Sequence, residues 1–402
     1  MNREKPPAID RRHFVQGVGA ALSLAPLVAR AAAAAGPQAG VVPASTPGAG
    51  SRRNNTFLHA CRGEPVAHTP IWMMRQAGRY LPQYQKVMEK SDFLTAVRTP
   101  EIAAELTIQP VDILGVDAAI FYSDITTTAV PMGMHLRYSD QTGPSYENPI
   151  RGMADVQRLV VPEDPADGLG FVYDAQRICA RELANRVPLI GFAGAPFTMA
   201  AYMVEGRAGQ SFAEFRRFLF AEPDAFAMLM DKLARHTAQY LKAQAAAGAD
   251  ALMLFDSNAG LVGPHDYETL NLPYVRQVIA GIKSTGVPIL YFGMGAHASL
   301  KAIGESGADV IGIDYGLPLD GAIAQLGSKV SVQGNLEPFC LYQTRGEIRD
   351  RVAATLQAAR NARGHVFNLG HGVPRYSPVD NVKAVVDFVH ELSSGAGAGK
   401  DA

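Results

Sequence analysis

The sequence predicts a (β/α)8 TIM barrel, on three observations. Eight short apolar runs follow residue 69, helix-like stretches separate most of them, and nearly every run ends in a polar residue or a glycine. A run of about five apolar residues without alternation suits a strand buried on both faces, as parallel sheets require. Strands alternating with helices close into a barrel whose functional residues lie at the C-terminal strand ends. Those ends carry Arg75, Asp124, Ser257, Asp314, Asn335 and His371.

Taken in chain order, residues 1–35 come first. They carry Arg11 and Arg12, then Phe14, then the apolar stretch at 17–29 and small residues beyond it. The pattern reads as a twin-arginine export leader or as a disordered extension, too short to span a bilayer comfortably. A Gly/Pro-rich linker follows at 36–53, and a tail at 393–402 reads as disordered. The body, residues 54–392, reads as a single domain.

The eight runs are PIWMMRQ (70–76), DAAIFYSD (117–124), PLIGFAGA (188–195), ALMLFDS (251–257), PILYFGM (288–294), DVIGIDY (309–315), VSVQGN (330–335) and HVFNLGH (365–371). Between the second and third, residues 134–144 predict an inserted hairpin and residues 170–186 a helix. A long helical region covers 211–248, with a break at Pro223 and a stop at Gly248.

Several run ends carry chemistry. Arg75 and Arg79 sit four apart around a glycine and beside the sole Trp, which suits a large, partly apolar ligand bearing carboxylates. Asp124 is a helix cap or a carboxylate facing the barrel mouth. The three threonines after it are poor helix formers, which weakens the capping reading. Tyr202 lies on an apolar helix, where a core role competes with a ligand contact. Ser257 has no histidine nearby and no GxSxG elbow, which leaves it a hydrogen-bonding role. GMGAHA (293–298) with Asp314 matches a dinucleotide fingerprint, but as the fifth of eight strands it makes room for a ligand instead. His371 lies between two glycines that deny it packing neighbours, a setting that favours ligand contact.

A formal charge of -1 brings no global field for nucleic acid or anionic lipid. Three scattered cysteines without CxxC argue against a disulfide framework or a cysteine zinc site. No lysine occupies a strand end, and P-loop and HExxH motifs are absent. The expected site therefore works without metal or organic cofactor.

The segments PIWMMRQAGRYLPQY, FYSDI, GAPFTMAAYMVEG, FDSNAG and FNLGHG, in this order, resemble the uroporphyrinogen decarboxylase family over about 55–390. The resemblance implies a cytoplasmic homodimer, a carboxy-lyase of haem and tetrapyrrole biosynthesis. Such an enzyme removes carbon dioxide from the four acetate side chains of uroporphyrinogen III to give coproporphyrinogen III. It implies that Asp124 accepts the four pyrrole N–H groups, since a carboxylate offers about four lone-pair sites. It implies substrate contacts from Arg75, Gln76, Ala77, Gly78, Arg79, Tyr202, Ser257 and His371. Arg75 joins Asp124 as catalytic, as proton donor or carboxylate clamp, and a guanidinium pKa above about 12 favours the clamp. The chain departs from the family at Met294, where a lysine is usual, at Tyr315-Gly316, where Trp-Arg is frequent, and in VPRYSP after His371.

Two other readings stay open. One is an exported tetrapyrrole-binding relative without activity, motivated by the leader and the missing cations. The other is a corrinoid methyltransferase-like enzyme, opposed by the lack of any His two residues before a Cys. Neither a nucleic-acid partner nor stable membrane insertion is expected.

Overall fold

The computed structural model describes residues 53–139, 143–207, 209 and 211–395. The expected leader, nearly all of the linker and the tail beyond residue 395 lie outside the described residues.

Seven strands form one parallel sheet: β1 (Ala119–Ile120), β4 (Leu189–Gly194), β5 (Ala251–Asp256), β6 (Ile289–Gly293), β7 (Val310–Gly312), β8 (Ser331–Gln333) and β9 (His365–Val366), in that order. Each pairs in parallel with the next. The expected hairpin is present as β2 (Leu136–Ser139) and β3 (Gly143–Tyr146), an antiparallel pair. Helices cover Gly170–Leu183, Ala213–Ala221 and Pro223–Ala246. Pro223 opens the last of these at a position whose N–H would have no helical partner anyway.

The sheet is buried on both faces, which is why its strands show no polar alternation. Along β5, Met253 packs inward with Ile190, Leu290 and Val310. Its neighbours Leu252 and Leu254 pack outward against the helical layer. Near the C-terminal strand ends the inward residues are aromatic. Phe255 lies edge-on to Phe192 and Phe292, with ring centroids 5.6 and 6.3 Å away.

The expected strand at 70–76 contributes one parallel bridge, Ile71 to Phe367. Its backbone also bonds on the other side, where Asp117 N donates to Ile71 O at 2.8 Å. Beyond Ile71 the chain turns, with Gln76 N donating to Met73 O at 3.0 Å. The buried Gln76 amide takes over the bonds a ladder would have made. It accepts from Met73 N at 3.0 Å and donates to Ala118 O at 3.2 Å. A buried amide able to satisfy backbone groups ends the strand early.

Asp117 fastens this seam. One oxygen accepts from Asn54 Nδ2 at 2.8 Å and meets His68 Nε2 at 3.1 Å. The other accepts from Ile71 N at 2.8 Å and meets His390 Nε2 at 2.7 Å. Bonds from the two histidines outweigh burial and hold the Asp117 carboxyl well below the usual carboxylate range, while the Asp117 bond raises His68. All of the carboxylate's roughly four lone-pair sites are occupied.

Candidate active site

The strand ends open into a cavity of ≈ 760 Å³. Its floor is apolar, with Phe192, Phe255, Phe292 and Met294, and its walls are polar. Arg75, Ala77, Gly78, Arg79, Asp124, Tyr202, Ser257 and His371 all line it. Gln76 does not, and this corrects the expectation of a substrate contact. Its side chain is fully buried beneath the wall, where it builds the turn that carries Arg75.

Arg75 has φ +61°, a left-handed conformation that side-chain-bearing residues seldom adopt. The turn at 73–76 imposes it and sends the guanidinium across Gly372. A Cβ placed on Gly372 would lie 2.4 Å from Arg75 Cδ. On the other side of His371, a Cβ on Gly370 would lie 2.3 Å from Tyr315 N. The flanking glycines therefore admit close neighbours, which reverses the reason given for them from sequence. Burial first, and then the charge of Arg75, lower the His371 pKa, against the opposing pull of Asp314. His371 is consequently a neutral imidazole at neutral pH.

Asp124 follows β1 and is partly exposed to the cavity. Its Oδ1 accepts from Thr126 N at 2.6 Å and from Thr126 Oγ1. The threonines thus form a short 3₁₀ turn, Thr126–Ala129, which the carboxylate ties down. The N-cap of this turn is Ile125, with no side-chain cap bond, so Asp124 makes a local turn bond to Thr126 and does not cap a helix. Burial raises the Asp124 pKa, and bonds from Thr126 and Thr127 only partly offset it. Thr126 thus takes up part of the acceptor capacity of this carboxylate.

Tyr202, on the helix Pro196–Glu205, feels both charges. Burial and Asp124 raise its pKa, and Arg75 lowers it. The phenol stays protonated as a hydrogen-bond donor. Tyr146 supports Asp124 from below, donating to Thr126 O at 2.6 Å.

Other polar strand-end residues serve the scaffold. Asp256 is fully buried and accepts from Thr198 Oγ1 at 2.6 Å, Asn271 Nδ2 at 2.7 Å and Tyr291 OH at 3.0 Å. Asn335 donates to Asp314 O at 2.9 Å and Leu317 O at 2.7 Å. Asp314 accepts from Gly295 N and Gly316 N, both at 2.7 Å, and pairs with His297 at 2.7 Å. This accounts for the dinucleotide-like spacing: the carboxylate closes the glycine loop itself. Sequence reasoning missed Tyr122, Phe212 and Arg375, which also line the cavity. Arg375 sits in the one stretch after His371 flagged as unusual.

A parallel α/β sheet ending in an apolar-floored cavity, with arginines and a half-buried carboxylate on its walls, defines an enzyme-type site for a large anionic ligand. Sequence comparison gives the family. Residues 52–392 match the family model described as Uroporphyrinogen decarboxylase (URO-D), and the chain belongs to this family. It is 47% identical over 340 residues to a uroporphyrinogen decarboxylase of Trichlorobacter lovleyi, covering 85% of this chain and 99% of that protein. A uroporphyrinogen decarboxylase of Geobacter sulfurreducens is likewise 47% identical over 340 residues, with the same coverage. Among solved structures, a methyltransferase from Methanosarcina mazei superposes with TM-score 0.72 at 20% identity, over 84% of this chain and 98% of that one. At that identity the likeness concerns the fold alone.

Proposed function

We propose that this chain decarboxylates the four acetate arms of uroporphyrinogen III, giving coproporphyrinogen III. The observation that carries the reading is Asp124, a carboxylate at the cavity wall of a family member, in the electrostatic company of Tyr202 and Arg75. The apolar floor suits the ring system, and Arg75 and Arg79 suit its eight carboxylates.

The chemistry supplies its own electron sink. A proton added to the ring carbon next to the one that bears an acetate arm makes the pyrrole cationic, with the positive charge shared by the arm-bearing carbon. The bond to the carboxylate carbon then breaks, its electron pair enters the ring, and carbon dioxide leaves. A proton goes to the arm's remaining carbon to complete a methyl group, and the ring carbon gives up its own. One proton is consumed per carboxylate lost. Asp124 stabilises the cationic ring and receives pyrrole N–H donors. Arg75, permanently charged, clamps an arm carboxylate. Neutral His371, Tyr202 and Ser257 donate hydrogen bonds, and Ala77 and Gly78 offer a close backbone approach.

The methyltransferase-like alternative is disfavoured by the thiols. All three cysteines are buried, and burial pushes Cys179 up to about 12 and Cys340 up to about 11. None is poised as a thiolate metal ligand. We read residues 70–72, bonded to both Phe367 and Asp117, as the strand that closes an eight-stranded barrel, with 54–392 as one domain. A cytoplasmic homodimer is part of the same proposal. No described helix is long and apolar enough to cross a membrane.

The purified chain, without added cofactor, is expected to release carbon dioxide from uroporphyrinogen and accumulate coproporphyrinogen. Asp124→Ala is expected to lower kcat by about a hundredfold or more, the scale of a lost electrostatic stabiliser, with unchanged circular dichroism. A folded wild-type sample that releases no carbon dioxide refutes the proposal.

A further inference from the structure

Building on that reading, we infer that Arg375, braced by Tyr376, grips a carboxylate arm that is not reacting and holds it in a side lobe of the cavity. Three observations converge on this.

The main cavity adjoins a second space of ≈ 640 Å³. Five residues line both: Arg79, Tyr80, Tyr84, Phe93 and Arg375. The lobe is thus an annex of the site, and Arg375 stands at the junction.

Among the described residues, no carboxylate forms an ion pair with Arg375. Its guanidinium instead lies 5.3 Å from the ring centroid of Tyr376. Tyr376 is 74% exposed, more than any other large apolar or aromatic side chain described. An unpaired cation on an exposed aromatic ring, at the mouth of a cavity for a polyanion, has no structural task to explain it.

The loop is held in place. Val373 N donates to Met74 O at 2.9 Å, and Ser377 N donates to Pro374 O at 3.1 Å. The first bond fixes the Arg375 loop to the loop that carries Arg75, so the two cations are presented together. Asp92 and Glu89 also line the lobe, and bonds from Thr95 lower the Asp92 pKa, so that carboxylate keeps its charge. Asp92 is committed to capping the helix Phe93–Arg98, accepting from Thr95 N at 3.0 Å.

The physical case is electrostatic and geometric. A substrate with eight carboxylates brings more charge than Arg75 and Arg79 can match. Arg375 adds one cation from a different loop, in a planar form suited to a carboxylate. Such a residue supports binding and orientation without touching the reacting carbon.

The test uses the full chain with Arg375→Ala, Arg375→Gln and Arg375→Lys. The alanine and glutamine variants are expected to raise KM for uroporphyrinogen about tenfold, the scale of one charge-assisted hydrogen bond, with a smaller loss in kcat. The salt dependence of KM should flatten in both variants, and lysine should recover part of the loss. Binding of oxidised uroporphyrin, followed by fluorescence quenching, should weaken in parallel. Unchanged KM, salt dependence and porphyrin affinity in Arg375→Ala overturn the inference while wild-type turnover stands. A wild type that neither binds porphyrin nor releases carbon dioxide overturns the functional reading beneath it.

Discussion

At the scale of single residues, Asp124 shows how a small local bond tunes a carboxylate at the cavity wall. Burial raises its pKa, and Thr126 pulls it back. Removing the hydroxyl in Thr126→Val takes away a bond that favours the ionised form, so the pKa rises further. The acid limb of kcat/KM against pH is therefore expected to move to higher pH in this variant. A limb at the wild-type position would show that Asp124 is not the group whose ionisation limits turnover. The two glycines around His371 make a second residue-scale contrast. Gly372→Ala meets the side chain of Arg75, which has room to shift. It should cost activity, about tenfold in kcat/KM for a displaced clamp, and little stability. Gly370→Ala meets the backbone of Tyr315, which has none. It should lower the melting temperature and the soluble yield. Thermal melts and kinetics on the two purified variants check the split.

At the scale of elements, the sequence made the strands legible and blurred their ends. Runs such as 188–195 and 251–257 have enough apolar residues, buried on both faces, to identify β4 and β5. The first run stops short after Ile71 because one side chain, Gln76, competes for the backbone at Met73 and Ala118. No periodicity reports such a competition. Site residues followed the same division. Arg75, Asp124, Ser257 and His371 were visible because they end apolar runs. Arg375 was invisible as a site residue because an exposed loop residue leaves no pattern. Asp314, Asp256 and Asn335 also end runs, yet they hold loops together. Position at a strand end says that a side chain is near the site, and only its hydrogen bonds say whether it is available.

At the scale of the whole molecule, the clamp of His68, Asp117 and His390 governs the seam of the sheet. The sign of its pH dependence follows from the two shifts. Asp117 is depressed, so its contribution is present above its ordinary 3.8 and fades as pH falls through the lower folded value. His68 is raised, so its contribution is complete below its ordinary 6.5 and fades as pH rises through the higher folded value. The ionic part of the clamp is therefore greatest between 3.8 and 6.5. His68→Ala is expected to destabilise the chain by about 1–2 kcal/mol in that window, with the deficit shrinking toward pH 9. Denaturant melts of both proteins across pH measure it; a deficit that grows with pH contradicts the assignment.

The same clamp sets a schedule for the growing polypeptide. Asp117 reaches His390 across 273 positions of sequence, so the latch waits for almost the entire body to leave the ribosome. Until then residues 70–72 have no Phe367 to bond, and two raw strand edges face water. Such edges invite pairing with other nascent chains. The last helix, Val379–Ser393, which carries His390, is what ends that vulnerable interval.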